Sequence, residues 1–136
     1  MQPSSEDSAA IEAMFAAIAP GKAQRWSYLF SLPPARWNKL SPLDGWPLSR
    51  SCDAYPNEPI ATLLNRPPLS HHLDTRVLVL RCGHSRNPGL AAMPLRDVFP
   101  DGRWNYDVLF EGFVCIVPGK IAIAANHEGG IYVQGA

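Results

Sequence analysis

Hydrophobic residues change their spacing along this 136-residue chain, and each spacing predicts a different kind of element. Ile11, Met14, Phe15 and Ile18 recur at i, i+3, i+4 and i+7, the period that lines one face of an α-helix. A helix over residues 5–19 follows, with Ser5, Asp7 and Ser8 as capping candidates and early acids favouring the positive end of its dipole. Pro20-Gly21 stops it. The next stretch, KAQRWSYLFSLPPARWNKLSPLDGWPLSR, keeps no period, because prolines cut it into short pieces. Within it, RWSYLFSL reads as a helical turn or a strand. PPARWNKL reads as a short helix with proline in its first turn, where the missing N–H costs nothing. Trp26, Trp37 and Trp46 are expected to cap the core, the other reading being exposed interface anchors. Prolines continue over residues 51–74, with IATLLN as a short helix and NRPPLSHHL as a loop.

The second half reads differently. RVLVLRC, residues 76–82, is apolar at successive positions and predicts a central strand covered on both faces. GHSRNPG is a loop, and LAAMPLRDVFPDG stays open between helix and strand up to a turn at Pro100-Asp101-Gly102. YDVLFEGFVCIV, KIAIAA and GIYVQ are three apolar runs joined by short turns, which predicts an antiparallel three-stranded meander. Ile121, Ile123 and Ala125 alternate with Ala122, Ala124 and Asn126, so the larger side chains share one face. Gly112 is expected to mark a bulge where the alternation of residues 106–111 changes phase. Together these predict a single α+β domain over residues 1–136: an N-terminal helix, an irregular Trp/Pro-rich segment and a mainly antiparallel sheet.

Composition narrows the partners. Hydrophobic residues at 46% against 18% charged fit an ordered chain with one core. Twelve basic residues balance twelve acidic ones, so there is no electrostatic footprint for a nucleic-acid backbone or an anionic membrane. Charge is uneven locally: Glu6, Asp7 and Glu12 precede Pro20, whereas Lys22, Arg25, Arg36, Lys39 and Arg50 follow it with only Asp44 opposing them. Cys52, Cys82 and Cys115 are an odd, widely spaced set, which suits reduced thiols. The acidic N-terminus is unlike a secretion signal, and no run reaches the roughly 18 apolar residues of a spanning helix. A cytoplasmic location without a membrane is therefore expected.

Three groupings carry candidate chemistry. His127–Glu128 sits in NHEGG between two apolar runs, where a hairpin turn already explains the glycines. Catalysis there needs a second acid, base or nucleophile brought nearby. Cys82-Gly83-His84 places a thiol and an imidazole after a central strand, without a known local signature. A zinc site drawn from His71, His72, Cys82 and His84 has suitable ligand types but lacks paired ligand spacing. No phosphate-binding glycine loop and no G-x-S-x-G elbow occurs. The expectation is a protein that is not an enzyme and holds no metal or cofactor.

The final quarter, WNYDVLFEGFVCIVPGKIAIAANHEGGIYVQG, resembles the tails of small immunity proteins encoded beside polymorphic bacterial toxins, including those of contact-dependent growth inhibition. Those tails often end with a strand, an H-E-G corner and a last strand. The resemblance implies a protein that neutralises a cognate toxin domain by stoichiometric binding in the cytoplasm. Many such toxins are nucleases with cationic sites, so carboxylates standing in for phosphates and aromatic anchors are expected on the docking face. Here that face would combine Asp107 and Glu111 on the first C-terminal strand with Glu128, Trp104, Tyr106 and Tyr132. The alternative is a small enzyme or zinc-binding protein centred on Cys82 and His84, with the His71–His72 pair.

Overall fold

A computed structural model of the chain describes residues 4–40, 52–54, 59–127 and 130–135. Helix α1 runs over Ser5–Ile18 and buries the four periodic residues Ile11, Met14, Phe15 and Ile18. Its cap is Ser4, one position before the expected candidates: the Ser4 hydroxyl accepts the Asp7 N–H at 3.0 Å. Helix α2, Ala23–Phe30, settles the helix-or-strand choice for RWSYLFSL, and Pro34–Lys39 forms a 3-10 helix with proline in its first turn. Trp26 and Trp37 lie in the core, and the Trp37 indole N–H donates to the Leu32 carbonyl at 2.8 Å. Trp46 lies outside the described residues.

Among the described residues, strands β1 (Cys52–Ala54), β2 (Arg76–Arg81), β3 (Gly89–Pro94), β4 (Gly112–Val117), β5 (Ile121–Ala125) and β6 (Ile131–Gln134) form one sheet in the order β1-β6-β5-β4-β2-β3. Every pairing is antiparallel. Strand β2 lies between β3 and β4 with four consecutive buried residues, as its unbroken apolar run requires. Strands β4 to β6 are the expected meander. LAAMPLRDV proves to be both of its readings in succession, β3 followed by the short helix α4, Leu95–Val98. Strand β1 was not foreseen, since three residues are too few to establish a period.

Both faces of the sheet are covered. On one, α1, α2 and the 3-10 helix pack over Leu78, Leu80, Phe113, Cys115, Ala122 and Ala124. Phe15, Trp26 and Phe113 meet there with ring centroids 5.1–5.4 Å apart. On the other face, Val77, Val79, Val114, Ile123 and Val133 pack under α4 and α3 (Ile60–Leu64). The alternation in β5 thus sends Ala122 and Ala124 toward the bulky aromatics and Ile121, Ile123 and Ala125 toward the shorter helices. Among the described residues, no helix is long and apolar enough to cross a membrane.

Two expectations about the chain before β4 are corrected. Residues 106–111 are not strand: the Asn105 side chain accepts the Asp107 N–H at 3.0 Å, and the Asn105 carbonyl accepts from Val108 and Leu109, so local bonding folds the chain into turns. Gly112 is not a bulge, since it pairs in register with both Arg81 and Ala125. It is glycine because the Leu80 carbonyl occupies the space a Cβ would need at φ 152°. The register shift in β4 falls instead between Cys115 and Val117.

Candidate functional site

The pairing register dictates which polar residues meet at one end of the sheet. Arg81, Gly112 and Ala125 lie side by side on β2, β4 and β5. The residues just beyond them, Cys82 to His84, Glu111, and Asn126 to His127, must therefore converge, although 27 and 16 positions separate Glu111 from the two histidines. Glu111 is the centre. One carboxylate oxygen accepts the His84 backbone N–H at 2.7 Å and lies 2.9 Å from His84 Nδ1. The other accepts the His127 backbone N–H at 3.1 Å and lies 2.7 Å from His127 Nδ1. The two imidazoles face each other with centroids 4.0 Å apart and planes inclined by 41°.

Glu111 is 0% exposed, and a carboxylate removed from water costs several kcal/mol unless donors replace its hydration. Those donors are supplied here by main chain and ring together. An ionised carboxylate only accepts, so each Nδ1 that faces it acts as the donor. Exposure rises outward from the carboxylate, to 27% for the His127 side chain and 62% for that of His84. Gly83 makes the close approach feasible: at φ +59° it takes a conformation few side chains allow, and a Cβ there would collide with the Glu111 carboxylate. The Cys82 N–H and the Ser85 hydroxyl both donate to the Glu111 carbonyl, and the Gly83 N–H reaches the Trp37 carbonyl. Asn126 closes the β5–β6 hairpin, its side-chain oxygen accepting the Gly130 N–H at 3.0 Å.

Beside the His84 imidazole lies a cleft of about 360 Å³, lined also by Arg86, Tyr106, Asp107 and Phe110. Tyr106 and Phe110 also wall a smaller cavity of about 70 Å³ that contains His127 and Trp104 in its lining. Their rings continue a row in which Trp104 meets Phe99 edge-on at 5.0 Å and stacks on Tyr106 at 6.3 Å. Tyr106 is 64% exposed, one of two large apolar side chains so displayed among the described residues. Asp107 is also exposed, and its loop is pinned by Asn87, which donates to the Asp107 carbonyl at 2.7 Å.

Comparisons with protein-family models, curated proteins and solved structures found no match to this chain.

Of the six residues expected on one docking face, the structure keeps Trp104, Tyr106 and Asp107 together. Glu111 cannot display its carboxylate, because it points inward onto the two histidines rather than outward from a strand. Tyr132 packs against the α1–α2 side of the sheet and Trp104 against the other, so they do not share a surface. Glu128 lies outside the described residues.

The groupings around Cys82 also separate. Cys82 is fully buried in the α1–α2 core, where desolvation, with the Glu111 charge adding to it, pushes its thiol well above the ordinary range. At neutral pH that sulfur is a thiol, and thiols are poor nucleophiles. His71 and His72 precede β2 while His84 follows it, at opposite ends of a strand that spans about 20 Å. His72 is engaged there with the Thr75 hydroxyl at 3.1 Å. What sequence reasoning missed is the joining of His84 to His127 through Glu111. The available signal was positional: each lies just past the end of a predicted strand.

Proposed function

We propose that this protein acts by binding a partner protein, a cognate bacterial toxin domain, through the loops at the Glu111 end of the sheet, and so neutralises it in the cytoplasm. The observation that carries the reading is the exposed Tyr106 at the rim of the 360 Å³ cleft, backed by Phe110 and Trp104 and flanked by Arg86 and Asp107. Aromatic and arginine side chains of this kind are the usual anchors of protein interfaces. They sit on loops fastened from beneath by Glu111, which lowers the ordering cost of association. The C-terminal likeness to immunity proteins supplies the partner class, and the buried, protonated Cys82 thiol fits binding better than nucleophilic chemistry.

With Glu111 turned inward, the acidic contribution of this surface falls to Asp107, beside the basic Arg86. Such a mixed rim suits a target surface of mixed charge better than a uniformly cationic nuclease groove. Co-expression with the product of the adjacent open reading frame tests the proposal. A stable complex and protection of the host are expected, and Tyr106→Ala should weaken the complex by about 2 kcal/mol or more. Failure of the wild-type chain to copurify with that product, or to protect against it, counts against toxin neutralisation.

A further inference from the structure

We propose that His84, His127 and Glu111 form a binding site for one divalent transition-metal ion, with zinc the best match, whose open coordination positions face the cleft beside Tyr106. One ligand atom from each of the three residues lies within 4.8 Å of the other two. Two imidazoles and one carboxylate are a donor set that holds zinc while leaving room for water or a further ligand. They favour zinc over calcium or magnesium, which require mostly oxygen. Tetrahedral zinc, with bonds of about 2.0–2.2 Å, sets its ligand atoms roughly 3.4 Å apart. The imidazole nitrogens lie 2.9 and 2.7 Å from the carboxylate oxygens, so admitting the ion requires the rings to move outward by only about half an ångström. The His84 ring, 62% exposed, has the freedom to make them.

The surroundings resemble a prepared site rather than a chance meeting of side chains. Each carboxylate oxygen is held by a backbone N–H, from His84 on one side and His127 on the other. Those amides fix the carboxylate plane in either state, as outer-shell donors do at metal centres. Each oxygen directs a second lone pair at an imidazole Nδ1. When the ion enters, each ring shifts its proton from Nδ1 to Nε2 through solvent, and Nδ1 becomes the ligand. The ion would bridge the β2–β3 loop, the approach to β4 and the β5–β6 hairpin, three segments that carry or adjoin the cleft.

The inference stands apart from the toxin reading, because it concerns the isolated chain. Calorimetric titration of tag-free protein with zinc is the test, supported by cobalt substitution and by thermal unfolding with zinc or magnesium present. The expected result is one equivalent of zinc, a higher unfolding temperature with zinc but not with magnesium, and a cobalt spectrum without a thiolate charge-transfer band. His84→Ala, at an exposed position, should fold normally and weaken zinc binding roughly tenfold or more. His71→Ala should leave it unchanged. No stoichiometric uptake by the wild-type protein, a thiolate band in the cobalt form, or uptake undiminished by His84→Ala would overturn the site.

Discussion

The two ends of the sheet each carry a carboxylate paired with nitrogen donors, and they differ in almost everything else. At one end Glu111 is sealed from solvent and bonded to both main chain and side chains of two loops. At the other, Asp74 meets Arg96 Nε at 2.7 Å with both side chains largely in water, 86% and 53% exposed. The short distance at the exposed end signifies little: solvent screens the attraction, and holding two mobile side chains offsets much of the gain. At the buried end, losing the acceptor leaves the backbone donors of both loops facing a pocket sealed from solvent. Proximity alone does not rank the two contacts; burial does.

The largest expected effect lies at the buried end. Glu111→Gln keeps the shape but replaces one acceptor oxygen with an NH₂ group, which opposes the backbone N–H bonded there and removes the charge from the contacts with both loops. We expect a loss of roughly 2–5 kcal/mol in denaturant unfolding, about 1–3 kcal/mol of it for the stranded amide and the rest for the weakened charge-assisted bonds. Gly83→Ala attacks the same contact from the backbone side and should cost about 1–3 kcal/mol through its positive φ and the collision with Glu111. If either variant matches wild type, the hub contributes no more than the surface pair and the contrast disappears.

An alkaline titration sharpens the same comparison. Cys82, behind the hub, has its thiol raised by burial and by Glu111, and Cys115 in the middle of the sheet is pushed up to about 11, chiefly by burial. Raised values mean that the native state retains protons that the unfolded chain gives up, so stability falls with rising pH. The contribution is intact below the ordinary thiol value of 9.0 and is lost, for Cys115, as pH climbs from there through about 11. Stability measured by urea unfolding should therefore decline less steeply over that interval in Cys115→Ala and in Cys82→Ala than in wild type. Equal slopes would mean that the thiols titrate alike in both states. The smallest effect belongs to the exposed end, where Asp74→Ala should change stability by about 1 kcal/mol or less.

The elements visible in the sequence were those whose period is local. Ile11, Met14, Phe15 and Ile18 announce α1, the aliphatic run from Val77 to Leu80 announces a strand covered on both faces, and the alternation through Ile121 and Ile123 orients β5. The stretch before Gly112 misled because its apolar run reads as a strand, while Asn105 bonds the chain into turns that hydropathy does not register. The site was illegible for a different reason. No short pattern contains His84, Glu111 and His127, and only the register of β2, β4 and β5 makes them neighbours. Within its own segment, each histidine is adequately explained by a glycine-containing turn.

That dependence on register gives the Glu111 contacts a part in deciding which strand alignment survives folding. A slip of β4 by one residue would present Phe110 or Gly112 where the carboxylate belongs, and neither can receive the amides of His84 and His127. Because these partners are remote in sequence, all of them can engage only when the central strands are aligned. The buried glutamate thereby proofreads the sheet, rewarding the one alignment in which all three strand ends arrive together.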